Sequence, residues 1–137
     1  MRQTITCFLI DDDADDQEIF AMALAKLGMP IDCIVASDGH EALEKIHIDK
    51  TFVPDLIFLD LNMPRMNGKQ CLKEIKRVER FQQVPVIVYS TSSELKDIDE
   101  VKLLGASDYV TKQPSVSALI TMLTEVFQKY NHIYSPL

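Results

Sequence analysis

Five acids crowd into six positions, Asp11 to Asp16, directly behind the apolar run from Ile5 to Ile10. Another acid, Asp60, closes a second apolar run, Leu56 to Leu59, and opens the stretch Leu61-Asn62-Met63-Pro64-Arg65-Met66-Asn67-Gly68. An apolar strand gains nothing from a carboxylate at its end, so these acids invite a chemical reading. Clustered carboxylates repel one another and favour a hard divalent cation with oxygen ligands, most simply Mg2+. A carboxylate can also act as a nucleophile toward phosphorus and hold the group as an aspartyl phosphate. Ser90 and Lys112, each closing a further β-rich segment, would bring a hydroxyl donor and a positive charge to phosphoryl oxygens. On this reading Asp60 is the reactive residue.

Such residues act together only if the fold brings them to one place. Thr4 to Ile10, Ile31 to Ala36, Leu56 to Leu59, Val84 to Ser90 and Asp108 to Thr111 read as strands, most of them apolar throughout. Helices are expected between them: Ala14 to Leu27, stopped by Gly28; about Asp38 to Lys50; Asn67 to about Arg80; one capped by Ser92 or Ser93 and ending at Leu104; and Ser115 to Tyr130. Asp38 with Glu41 suggests a capping box, and Asp13, Asp15 and Asp16 suit the positive end of the first helix. In the third helix Leu72, Ile75 and Val78 should face inward, leaving Lys69, Lys73, Lys76 and Arg77 on a solvated face. Residues 131–137 read as a loose tail. Strand and helix alternate with short connections, which calls for a doubly wound α/β domain of flavodoxin-like type: a five-stranded parallel sheet, order 2-1-3-4-5, with five helices on its two faces.

In a parallel sheet all carboxyl ends share one edge. The first strand ends in Asp11 and Asp12, the third in Asp60 and the fourth in Ser90 and Thr91, and the fifth leads to Lys112. That strand order sets the first and third strands side by side at the switch point, where open α/β sheets place ligands. Three carboxylates, a hydroxyl and an ammonium are thereby expected in one crevice, suited to receiving a phosphoryl group.

The sequence here resembles the receiver domain of two-component response regulators. The resemblance rests on Phe8-Leu9-Ile10-Asp11-Asp12-Asp13, Leu59-Asp60-Leu61-Asn62-Met63-Pro64-Arg65-Met66-Asn67-Gly68, Pro85-Val86-Ile87-Val88-Tyr89-Ser90 and Gly105-Ala106-Ser107-Asp108-Tyr109-Val110-Thr111-Lys112, and covers roughly residues 4 to 130. It implies Asp60 as phospho-acceptor, Asp11 and Asp12 with Asp60 as Mg2+ ligands, and the Asn62 backbone carbonyl as a further ligand. Ser90 matches the switch hydroxyl, Tyr109 the aromatic that changes rotamer, and Lys112 the family lysine. The family has Pro after that lysine, joined by a cis peptide, whereas Gln113 stands here with Pro114 behind it. A cis bond before Gln would cost about 3–4 kcal/mol, so either the bond is trans and the loop differs, or the fold holds a cis bond.

The implied function is a phospho-accepting signalling switch. A histidine kinase or histidine phosphotransfer protein would donate the group, and an effector protein or a second copy of the chain would read the surface of the fourth helix, fifth strand and fifth helix. Residues 1–137 are expected to form a single receiver domain, core 4–130, of the stand-alone type that includes the regulators paired with bacterial phytochromes. A net charge of -7 argues against a nucleic-acid surface, and no apolar run approaches a membrane span. Cys7, Cys33 and Cys71 suit free thiols in a reducing cytoplasm, and the N-terminus does not read as a signal peptide. A phosphorylation-independent binding module is the main rival. An aspartyl-phosphate hydrolase is a weaker one: Asp11 and Asp13 form a DxD, but an acid on the third strand and the lack of a capping insertion weigh against it. An FMN carrier is weaker still, because acids after the first strand would repel a phosphate. His40, His47 and His132 lack ligand spacing and are assigned no chemistry.

Overall fold

A computed structural model describes residues 4–130. The loose tail expected at 131–137, with His132, lies outside the described residues. Five strands, β1 (Ile5–Ile10), β2 (Ile31–Ala36), β3 (Leu56–Leu59), β4 (Val86–Ser90) and β5 (Asp108–Thr111), form one parallel sheet in the order β2-β1-β3-β4-β5. Five helices alternate with them: α1 (Ala14–Ala25), α2 (Gly39–Ile48), α3 (Gly68–Arg77), α4 (Leu95–Leu103) and α5 (Val116–Lys129). The expected flavodoxin-like fold is therefore present.

The unbroken apolar runs have their reason in two covered faces. Side chains alternate across a strand, so Phe8, Ile10, Ile57, Leu59, Val86 and Val88 turn toward α2, α3 and α4, where they meet Ala42, Ile46, Leu72, Ile75 and Val101. Cys7, Leu9, Leu56, Phe58, Ile87 and Tyr89 turn the other way, onto Phe20 and Leu24 of α1 and Leu119, Leu123 and Phe127 of α5. Edge-on ring contacts, Phe8 with Phe52 and Phe20 with Phe58, both at 5.0 Å, tie strands to the elements over them. The three cysteines are free thiols, Cys7 and Cys71 buried and Cys33 half-buried. Among the described residues no helix is long and apolar enough to cross a membrane.

Several boundaries differ from expectation, each for a local reason. α1 ends at Ala25, because the next amides fold back on Ala23 and Leu24 before Gly28 takes φ 70°. α3 stops at Arg77: Val78 is extended, and a short 3-10 helix, Glu79–Phe81, drops the Phe81 ring into the core. Lys76 is not on a solvated face; its ammonium donates to the carbonyls of Val84 (2.7 Å), Phe81 (3.3 Å) and Gln82 (3.4 Å). β4 begins at Val86 instead of Val84, since the Val84 amide closes a turn on Phe81. The residue capping α4 is Glu94, without a side-chain bond, and neither Ser92 nor Ser93 takes that role. Ser92 instead donates its hydroxyl proton to Asp97 at 2.6 Å. The Asp38 cap of α2 stands, accepting the Glu41 amide at 2.8 Å, but Glu41 returns its bond to the Ser37 amide, one residue earlier than a capping box would.

Candidate functional site

Asp11, Asp60, Ser90 and Lys112 all lie at the carboxyl ends of strands. The Asp11 amide continues the sheet by donating to Ala36 at 3.1 Å, and the Asp60 amide donates to Ile10 at 2.9 Å, so β1 pins both acids at one level. The Lys112 amide donates to Ser90 at 2.8 Å and carries the lysine back over the crevice from β5. Behind Asp60 the chain folds tightly: the Gly68 amide donates to the Leu61 carbonyl at 2.8 Å. A Cβ on Gly68 would lie 2.4 Å from the Asp60 carbonyl oxygen and 2.5 Å from the Leu61 Cα, so only glycine permits this return. Asn67 caps α3 by accepting the Gln70 amide at 2.9 Å, and Arg65, at φ 67°, pairs with Asp38 across the loop.

The result is an acidic crevice. Carboxylate oxygens of Asp11, Asp12 and Asp60 lie within 4.8 Å of one another. Asp11 and Asp60 are 1% and 5% exposed, while Asp12 faces solvent. Hard oxygen donors at that spacing fit a small divalent cation. The Asp60 Oδ1 accepts the Asn62 amide at 3.3 Å, and the Asp11 Oδ1 accepts the Asp13 amide at 3.0 Å. The Lys112 ammonium lies 3.1 Å from Asp11 and 3.5 Å from Asp60. Its third partner, Asp16 at 2.7 Å, is the nearest of all.

Charge is held here under strain. Burial pushes the Asp60 carboxyl up to about 6, with the Asp11 charge adding to the rise, while Lys112 and the Asn62 amide resist it. Burial likewise raises Asp11, opposed by the Asp13 amide and Lys112. Burial works against the Lys112 ammonium too, but its bond to Asp16 and the charges of Asp11 and Asp60 win, holding it above the usual lysine value.

Ser90 is fully buried and accepts the Ser92 amide at 3.3 Å. Tyr109 is half-buried against the core, and its hydroxyl donates to the Ser92 carbonyl at 2.5 Å. Ser90 and Tyr109 therefore meet at one loop residue between β4 and α4. The peptide before Gln113 is trans, as every described peptide is, and Lys112 still reaches the carboxylates. Two side chains that the sequence does not single out for chemistry join the site. Gln17 donates to the Asp11 carbonyl at 2.7 Å, and Asp16, which reads only as a helix starter, grips Lys112. Spacing gives the one available hint of Asp16: with α1 beginning at Ala14, its side chain leaves the first turn beside the carboxyl end of β1.

Comparison with known proteins places this geometry. Residues 7–124 match the response regulator receiver domain family. The transcriptional regulatory protein DegU of Brevibacillus brevis is 28% identical over 121 residues, 88% of this chain and 50% of DegU. The chain thus spans about half the length of that relative. Among solved structures, the phosphorylated cyanobacterial phytochrome response regulator RcpA is 30% identical, with a TM-score of 0.85 over 93% of this chain and 94% of RcpA. The Mn(2+)-bound response regulator Rcp1 is 26% identical, with a TM-score of 0.80 over 90% and 92% of the two chains.

Proposed function

Because this chain belongs to the response regulator receiver family, we propose that it is a phospho-accepting signalling switch of a two-component pathway, with Asp60 as the acceptor. The observation that carries the reading is the crevice itself: three carboxylates within 4.8 Å, with Lys112 spanning Asp11 and Asp60. The donor is phosphohistidine on a histidine kinase or phosphotransfer protein. An Asp60 carboxylate oxygen forms the new P–O bond as the donor's P–N bond breaks, and the electron pair leaves on the imidazole nitrogen. Mg2+, held by Asp11, Asp12, Asp60 and the Asn62 backbone carbonyl, would offset the repulsion between the attacking carboxylate and the phosphoryl oxygens. Lys112 supplies the chain's own positive charge at the same point. On this reading the chain serves as a phosphoryl acceptor that holds the group, and not as an enzyme.

The signal leaves through Ser90 and Tyr109. Once Asp60 carries phosphoryl oxygens, the Ser90 hydroxyl, which now accepts the Ser92 amide, gains a charged acceptor for its own proton. Drawing Ser90 toward them disturbs Ser92, and with it the bond that holds the Tyr109 hydroxyl. Tyr109 is then free to change rotamer and reshape the α4-β5-α5 surface, a local charge event biasing a two-state element. The reader is an effector protein or a second copy of the chain, in the cytoplasm.

Incubation with acetyl phosphate, with and without Mg2+, tests this by intact mass. The expected outcome is a gain of one phosphoryl group that requires the cation and is absent from Asp60→Asn. Persistence of the label in Asp60→Asn would move the acceptor elsewhere. Absence of label from either a small donor or a phosphorylated kinase would leave a phosphorylation-independent binding module.

A further inference from the structure

The protons of Lys112 are already committed. An ammonium has three, and three carboxylates surround this one: Asp16 at 2.7 Å, Asp11 at 3.1 Å and Asp60 at 3.5 Å. The shortest contact goes to the residue least tied to the crevice. The Asp11 and Asp60 side chains are 1% and 6% exposed, but that of Asp16 is 36% exposed. Asp16 and Lys112 also line a cleft of about 240 Å3, with Ile19, Tyr89 and the Gln113–Val116 loop as its other walls.

We propose that Asp16 is a positioning residue that tethers Lys112 away from the incoming phosphoryl group, so that phosphorylation of Asp60 requires this ion pair to open. The proposal rests on the reading of Asp60 as acceptor. Transfer from acetyl phosphate forms a P–O bond to Asp60 and breaks the donor's P–O bond, the pair leaving with acetate. The group that arrives brings three acceptor oxygens and a charge of roughly -1.5 to -2, while Lys112 has no fourth proton to give. Its Asp60 contact can pass to the phosphoryl oxygens. A second contact requires the release of Asp11 or Asp16. Asp11 can turn to the cation, but the shortest contact, to Asp16, would still draw the ammonium toward the cleft. Asp16 turns into the open cleft, where water takes over its hydrogen bonds at small cost. The tether therefore opens on the Asp16 side, and while closed it opposes transfer. Asp16 thereby sets how readily the switch is thrown without touching the phosphoryl group.

Removing any acid near an anionic donor weakens repulsion, so the test needs a matched charge. Asp15 neighbours Asp16 in the same helical turn and is not among the three carboxylates on Lys112. Initial labelling rates with acetyl phosphate and Mg2+ are measured on the full chain for wild type, Asp15→Asn, Asp16→Asn and Asp16→Glu. The two Asn variants are repeated in a Lys112→Gln background, timed over hours where labelling is slow. Asp16→Asn is expected to label about threefold to fivefold faster than wild type, well beyond Asp15→Asn, and Asp16→Glu to return toward wild type. With Lys112→Gln the two Asn variants should become equal. A wild type that labels normally beside an Asp16→Asn no faster than Asp15→Asn overturns the tether alone, as does an Asp16 advantage that survives loss of Lys112. A wild type that takes no label at all overturns the acceptor reading instead, and the tether with it.

Discussion

Lys112 and Lys76 stand at opposite edges of the sheet, and their surroundings are opposite in kind. Lys112, at the carboxyl edge, sits among three carboxylates, and their charges hold its ammonium above the usual value against the pull of burial. Lys76 leaves α3 toward the amino end of β4 and is met by three neutral carbonyls, so burial alone acts on it and holds it below the usual value. The acids divide in the same way. At the amino edge the Asp55 carboxylate accepts the Thr6 amide at 2.7 Å, whereas at the carboxyl edge burial drives Asp60 up to about 6. One edge completes its polar groups with backbone partners. The other crowds like charges that only a cation or a new anion-cation arrangement would relieve. The crowding of like charges thus lies where chemistry is proposed.

The largest effect should come from removing the Asp60 charge. An acid whose carboxyl is raised in the fold ionises first in the unfolded chain. Below about pH 4 both states are protonated and Asp60 makes no difference; as pH climbs from 4 toward 6 the folded state loses ground, and above 6 the whole deficit remains. A rise from 3.8 to about 6 corresponds to about 2–3 kcal/mol. Asp60→Asn, unable to be phosphorylated, is therefore expected to be the more stable protein at pH 7.5 in EDTA. Its advantage should shrink to nothing near pH 4, read from urea midpoints across that range. Adding Mg2+ should narrow the gap from the other side by stabilising wild type. Equal midpoints at pH 7.5 would mean that the carboxyl edge is not strained, and the contrast with the amino edge would fail.

Lys76 sharpens the contrast from the finished edge. Lys76→Met keeps much of the aliphatic stem but withdraws the donor from the Val84, Phe81 and Gln82 carbonyls, the first two of them part-buried. The expected loss is about 1–2 kcal/mol of stability, with the rate of acetyl phosphate labelling unchanged in the folded variant. Slower labelling at full folding would show that the two edges are coupled.

Much of this contrast is legible in the amino-acid sequence itself. Runs such as Leu56 to Leu59 and Val86 to Val88 are apolar on both faces, as strands of a doubly covered sheet are, and the order of strands then carries Asp11, Asp12, Asp60, Ser90 and Lys112 to one edge. Contacts between elements distant along the chain are not legible in this way. Asp16 obeys the rules of a helix start, and nothing local says that its carboxylate meets a lysine 96 positions later. Lys76 carries the spacing of a solvated face, yet the 3-10 helix folds its carbonyls back over the amine. Ser92 resembles a cap because hydroxyls cap helices, but the cap position falls two residues later, on Glu94, and the Ser92 hydroxyl gives its proton to Asp97 at 2.6 Å.

Ser92 also leads to the smallest expected effect. Tyr109 holds the Ser92 carbonyl by its hydroxyl, while the Ser92 amide rests on Ser90. Tyr109→Phe removes that one bond and leaves the ring packed against the core, so the cost should be about 0.5–1 kcal/mol, less than at Lys76. The loss should be local: amide exchange should quicken from Ser92 to Leu95, while the β1, β3 and β4 amides keep their protection and Asp60 still takes label from acetyl phosphate. A switch element has to be cheap to release, because two states separated by many kcal/mol could not be exchanged by one phosphoryl group. A loss above about 2 kcal/mol, spread over the sheet, would make the Tyr109 bond a structural one like those of Lys76. The carboxyl edge would then combine strained charges with a rigid loop, and the motion would have to start elsewhere.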